Sequence, residues 1–215
     1  MNNNIETGQI LPLWVTPLYI STIPSASSYV DTVKTLPWKR FESNNGCITE
    51  DTYILDRGEF QNLKDEVNRE IELYIRDVFK IKDKVDFYIS NSWAVKHNKG
   101  DWSPKHYHTN SLFSGVLYLK CDNSSGSITF YKNSQLNSGI PSCFDFTYSE
   151  VNMFNSSFFN VLPKDNTIII FPSHLEHSVE TSNSVEDRFV IAFNVFFKGE
   201  LKGDSPEKMC DLKIN

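Results

Sequence analysis

The feature that most constrains this chain is a change of period near residue 84. From Glu59 to Phe79, apolar residues fall at Phe60, Leu63, Val67, Ile71, Ile75 and Val78, in steps of three and four. That spacing lays one face of a single helix against a core, with Asp56 placed to cap it. After Lys84 no such run recurs. Short β-prone stretches follow instead: Val85–Lys96, Leu112–Lys120, Ser127–Tyr131, Asn166–Phe171 and Arg188–Phe197, with turn residues such as Ser124-Ser125-Gly126 and Pro172-Ser173 between them. Short strands with a turn roughly every eight to twelve residues indicate a sandwich or barrel. The chain is therefore expected to be mainly β, with helices packed outside one sheet and gathered mostly in the N-terminal half. Leu112–Lys120 and Ser127–Tyr131 read as a hairpin across their turn.

The flanking regions are less regular. Residues 9–20 are apolar but carry Pro12 and Pro17, which suits an edge strand or a broken pair of strands. Pro24 to Ser28 forms a turn into a short helix ending near Leu36-Pro37-Trp38. Glu42 to Gly46 reads as a loop, and the stretch from Cys47 to Leu55 as a strand. Residues 133–160 are rich in Asn, Ser and Phe without a period, and a segment of that length in a compact domain is usually functional or mobile. Its Phe144, Phe146, Tyr148, Phe154 and Phe158 are expected to form part of a lid over a substrate. The tail after Gly199 is polar and expected to be irregular. No linker or repeat divides residues 1–215, which are expected to form one domain.

Composition excludes several classes. The net charge is −6 and no basic block stands out, so no nucleic-acid partner is indicated. The four cysteines, Cys47, Cys121, Cys143 and Cys210, form no C-x-x-C pair, which argues against a zinc ribbon or redox motif. The N-terminus lacks the apolar core of a signal peptide, and no apolar run is long enough to span a membrane. The expectation is a reduced, cytoplasmic protein.

Chemistry concentrates in Lys105-His106-Tyr107-His108, just ahead of the apolar run Ser114–Leu119. In an extended chain, residues i and i+2 share a face, so His106 and His108 form a chelate that lacks a third ligand. Read alone, the pair is more readily two ordinary polar residues on a loop. Further on stand His177, in Ile168 to Val179, and Arg188, eleven residues after His177.

With these residues in view, the sequence resembles the iron(II)- and 2-oxoglutarate-dependent oxygenases, and within them small prolyl-hydroxylase-like members, including phage proteins. The matching stretches are Ser92-Trp93, Gly100, His106-Tyr107-His108, Ser114 to Leu119, Gly126 to Phe130, Pro163 to Ser173, His177-Ser178-Val179 and Arg188 to Asn194; Leu13 to Pro17 fits as well. The resemblance implies a double-stranded β-helix (jelly roll) and a hydroxylating dioxygenase. It implies Fe(II) held by His106, His108 and His177, with Arg188 binding the distal carboxylate of the cofactor 2-oxoglutarate. The planar fork of arginine suits a carboxylate better than the point charge of lysine. Two positions depart from the family pattern. His108 stands where the family usually has Asp or Glu, so three neutral ligands leave the metal's double charge uncompensated. Val190 stands where many members have a serine that bonds the cosubstrate, so another group must serve, with Tyr118 and Tyr107 as candidates.

Other readings attach to the same residues. A three-histidine cupin-type iron dioxygenase would use His-x-His and a distant His but has no need of Arg188. A non-catalytic metal-binding jelly roll is the third option. His174 is an alternative to His177. Arg188 taken alone suits an ion pair with Glu186 or Asp187. His97, among Asn and Lys, is expected to be solvated in a loop, and Trp93 and Tyr118 read as barrel filling. The substrate class stays open between an amino acid, a peptide and a small metabolite, and a homodimer is equally open.

Overall fold

The structure, a computed structural model, describes residues 8, 10, 12, 15–41, 46–81, 85–132, 146–201 and 212–214. Leu13, Trp14, the loop at 42–45, Cys143, Phe144 and Cys210 lie outside the described residues.

The N-terminal part runs through β1 (Tyr19–Thr22), a 3-10 turn at Ala26–Tyr29, the short helix α1 (Val30–Lys34), β2 (Trp38–Phe41) and β3 (Gly46–Thr49). Two further 3-10 turns, Ile54–Asp56 and Gly58–Phe60, lead into α2 (Gln61–Leu73), which ends in a π-helical turn at Tyr74–Val78. The strands that follow are β4 (Val85–His97), β5 (Ser103–His106), β6 (Phe113–Lys120), β7 (Ile128–Tyr131), β8 (Phe158–Val161), β9 (Thr167–Pro172), β10 (His177–Val179), β11 (Arg188–Leu201) and β12 (Leu212–Ile214).

They form two antiparallel sheets. The larger runs β1-β9-β6-β11-β4-β3-β2, with β12 added to β11, and the smaller runs β5-β10-β7-β8. This is the double-stranded β-helix, with its helices outside the larger sheet. Strand β11 is the spine, pairing with β4 on one side and β6 on the other. Its alternation divides the molecule. Phe189, Ile191, Phe193 and Val195 pack with Leu63, Val67, Ile71 and Ile75 of the α2 region in the outer core. Each such fully buried Leu or Ile side chain contributes about 1.5–3 kcal/mol relative to exposure. Val190 faces the opposite way, into an inner core between the sheets with Tyr118, Ile128, Phe130, Ile169 and Phe171. Gly115 lets β6 and β11 lie in register, because a Cβ there would come within 2.1 Å of Cζ of Phe193.

Four expectations are corrected. Asp56 does not cap α2; it lies in the preceding 3-10 turn and pairs with Lys64 at 2.6 Å. Val78 leaves the buried face, standing 47% exposed, because the wider π turn rotates the last residues away from the stripe. Strands β6 and β7 are not a hairpin: β6 pairs with β9 and β11, and β7 with β8 and β10. Their connection crosses from one sheet to the other through Gly126, whose φ of 84° lies in the left-handed region that glycine favours. The tail is not wholly irregular either, since β12 pairs with Gly199–Leu201.

Candidate functional site

Each of the three histidines is set by backbone pairing. His106 on β5 and His177 on β10 are cross-strand partners, with ring centroids 4.3 Å apart. His108 follows β5, its amide donating to the carbonyl of Ser173 at 2.9 Å. Its ring lies 5.5 Å from that of His106 and 5.2 Å from that of His177. One ring nitrogen from each of the three lies within 4.8 Å of the other two. His174, the alternative, is exposed.

The hydrogen bonds select the tautomers. Nδ1 of His106 lies 2.7 Å from the carbonyl of Pro104, and Nδ1 of His177 lies 2.9 Å from the carbonyl of Leu175. A carbonyl only accepts, so both Nδ1 atoms carry the proton and both Nε2 lone pairs are free. Nδ1 of His108 lies 2.6 Å from Oδ1 of Asn194, itself fixed because its Nδ2 donates to Oδ1 of Asn91 at 2.9 Å. Ser114 Oγ donates to the same Asn194 oxygen at 2.8 Å and lies 2.8 Å from Oγ of Ser173. Metal-binding imidazoles are held in this way, each Nδ1–H tied to an oxygen acceptor. Burial pushes His177 down to about 3 and lowers His108 as well, so these two rings are neutral donors near neutral pH. Phe171 and Phe130 pack on His177 at 4.8 and 6.1 Å, and Trp93 lies 5.9 Å from His108. The donor set and geometry fit a divalent cation held on one face.

Arg188 opens β11 on the same side as Val190 and Asn194, and is 2% exposed. It does not pair with its acidic neighbours: Glu186 binds Lys120 at 2.8 Å and Asp187 accepts from Asn98. Its partners among the described residues are neutral. Nη2 lies 2.8 Å from Nδ1 of His97, Nη1 donates to the carbonyl of Ser125 at 3.3 Å, and the guanidinium sits 5.9 Å from the Tyr118 ring centroid. Nε has no partner among the described residues. Burial lowers Arg188 from the ordinary guanidinium range and raises Tyr118 to about 12, partly opposed by Arg188. A buried cation with only neutral partners is costly, and an anionic ligand would relieve it.

Tyr118, 1% exposed, lines the inner core beneath Arg188. Tyr107 lies between two of the histidines, is 56% exposed, and makes no hydrogen bond to Arg188. His97 is the clearest correction. It is 0% exposed, the last residue of β4 and the register partner of Arg188. A strand read as ending at Lys96 hid it; the parity of Trp93 and Val95 carried one step further would have pointed His97 inward. Ser114 and Ser173 were also missed as partners of the site, having no spacing that marks them. Beyond the site, Phe146, Tyr148, Phe154 and Phe158 are 51%, 40%, 48% and 51% exposed.

Fold and residues together define a class: a double-stranded β-helix whose barrel gathers three imidazoles and a buried arginine. Within that class, residues 91–194 match the model of a family described as "Putative 2OG-Fe(II) oxygenase", and the resemblance to iron(II)/2-oxoglutarate oxygenases read from the sequence is supported. Solved structures of similar shape include HygX from Streptomyces hygroscopicus with nickel and 2-oxoglutarate bound, at 12% identity, 84% coverage of this chain, 82% of that one and a TM-score of 0.57. A Pseudomonas putida prolyl-4-hydroxylase follows at 12% identity, 83% and 92% coverage and a TM-score of 0.56. The viral collagen prolyl hydroxylase of Paramecium bursaria Chlorella virus-1 is similar at 14% identity, 82% and 95% coverage and a TM-score of 0.52. No curated protein matches the sequence. Among the described residues no helix is long and apolar enough to cross a membrane.

Proposed function

We propose that this protein is an iron(II)- and 2-oxoglutarate-dependent oxygenase that hydroxylates an amino acid, a peptide side chain or a small metabolite. The observation that carries the reading is Arg188, a buried guanidinium without a carboxylate partner among the described residues, facing the same barrel interior as the three imidazoles. A cupin-type dioxygenase or a bare metal-binding protein leaves that residue without a role.

His106, His108 and His177 would hold the metal through Nε2, each aimed by its Nδ1 hydrogen bond. Bound iron(II) and 2-oxoglutarate supply oxygen activation coupled to decarboxylation of the oxoacid, with oxygen inserted into a C–H bond. Arg188 would bind the distal carboxylate of the oxoacid, with its unpartnered Nε–H available for that bond. Val190 provides no hydroxyl there, and Tyr118, whose ring centroid lies 5.9 Å from the guanidinium, is the tyrosine that contacts Arg188. Phe130, Phe171 and Ile169 form a buried apolar cluster with Tyr118 and Val190, which would disfavour water beside the site. Three neutral ligands leave the full double charge of the cation, which an anionic cosubstrate would offset.

Anaerobic addition of iron(II) and 2-oxoglutarate tests this. The wild type should develop a weak visible charge-transfer band that needs both additions and is absent in His177→Ala. Metal binding without that band at saturating 2-oxoglutarate would favour the cupin-type or non-catalytic reading.

A further inference from the structure

The guanidinium of Arg188 is held from behind by a neutral group where an acidic one would be the usual partner. Nη2 of Arg188 can only donate, so Nδ1 of His97, 2.8 Å away, must accept. Nε2 of His97 then carries the proton, and Oγ of Ser103 lies 3.3 Å from it. The ring is walled in. It is 0% exposed, and a Cβ at Gly46 would come within 2.6 Å of its Cδ2. Burial, with Arg188 beside it, pushes His97 down to about 3, against the opposing pull of Asp101. Asp101 is the nearest acidic influence, but its carboxylate is taken by Arg40 at 2.5 Å and by the amide of Asn98 at 2.9 Å.

We propose that His97 is a positioning residue that fixes the fork of Arg188 through a neutral acceptor, leaving its positive charge uncancelled for a ligand carboxylate. This rests on the reading of Arg188 as the anchor for 2-oxoglutarate. The physical content is a choice of charge, not of shape. An acceptor is needed to orient the guanidinium, but a carboxylate at this place would form an internal ion pair and compete with the ligand. A neutral imidazole locked in the Nε2–H form orients without competing. It also gives a physical account of how the site manages with Val190 at the position of the family's serine: the fork is ordered from behind rather than helped from in front.

The test uses two substitutions of nearly equal size in the full-length protein. His97→Asn keeps a neutral oxygen near the place of Nδ1, and His97→Asp puts a charge there. Calorimetric titration of 2-oxoglutarate into the manganese(II)-loaded protein should give an affinity within about tenfold of wild type for His97→Asn. For His97→Asp the loss should be about a hundredfold or more, the range expected when a binding charge is neutralised. Manganese affinity, measured separately, should be the same in all three. Equal 2-oxoglutarate affinities in the two variants would overturn the proposal and leave the oxygenase reading standing. Nitrogen NMR of the wild-type imidazoles gives a second readout without cosubstrate. A His97 ring protonated at Nε2 and still neutral at pH 5 supports the lock; one protonated at Nδ1 overturns it. Failure of the wild type to bind 2-oxoglutarate, with His97 in the Nε2–H form, would overturn the oxygenase reading instead.

Discussion

His108 and Asn194 are joined by a 2.6 Å hydrogen bond between Nδ1 and Oδ1, across 86 residues of sequence. The bond ties the residue that departs most from the family pattern to the strand that carries Arg188. It fixes the orientation of the imidazole, as hydrogen-bond partners of ligating side chains do. Replacing Asn194 should therefore act on metal affinity. Asn194→Leu should weaken binding about 10–100-fold, as loss of a ligand's hydrogen-bond partner generally does, whereas Asn194→Asp, which keeps an accepting oxygen, should bind nearly as well as wild type. Competition against a chromophoric chelator measures this, with circular dichroism to check that both variants fold.

A second expectation concerns packing on the other face of β11. A methyl group at Gly115 would come within 2.1 Å of the Phe193 ring. Gly115→Ala should therefore destabilise the protein by about 1–3 kcal/mol, the usual penalty of overpacking. The double variant Gly115→Ala with Phe193→Leu should recover part of that loss. Urea unfolding of the four proteins closes the cycle; additive losses would contradict the steric account.

The pH dependence of stability follows from His97. Its folded-state value of about 3 lies below the roughly 6.5 of an unfolded histidine. Between those values the unfolded chain binds the proton and the folded one does not, so stability rises with pH across the window. The contribution is complete above about pH 6.5 and is lost as pH falls toward 3, at up to about 1.4 kcal/mol per pH unit for one such group. His97→Asn should flatten the stability of the metal-free protein between pH 7 and 5 by up to one proton's slope, read from urea midpoints. An unchanged slope would mean that His97 takes up its proton in the folded state.

Much of this architecture was legible because its signals are local. The α2 stripe and the even–odd alternation of β11 announce themselves in short windows, and a two-residue period puts Arg188, Val190 and Asn194 on one side. What escaped was non-local. Nothing between Lys120 and Ile128 says that the next strand joins the other sheet, because a crossing and a hairpin use the same turn residues. Likewise His97 looked solvated beside Asn98 and Lys99, and it is buried by residues distant in sequence, Arg188 in register opposite it and Gly46 against its ring. The supporting Ser114 and Asn194 come from strands β6 and β11 and Ser173 from the turn after β9, so their polar cluster has no sequence period at all.

If the protein is an iron(II)- and 2-oxoglutarate-dependent oxygenase, one barrel holds a metal site and a separate carboxylate site. Calorimetric titration of manganese(II), then of 2-oxoglutarate, into wild type and Arg188→Ala separates the two sites. Both proteins should bind the metal with similar affinity, and only the wild type should bind 2-oxoglutarate measurably. Equal 2-oxoglutarate affinity in the two proteins, or none in either, would contradict that reading.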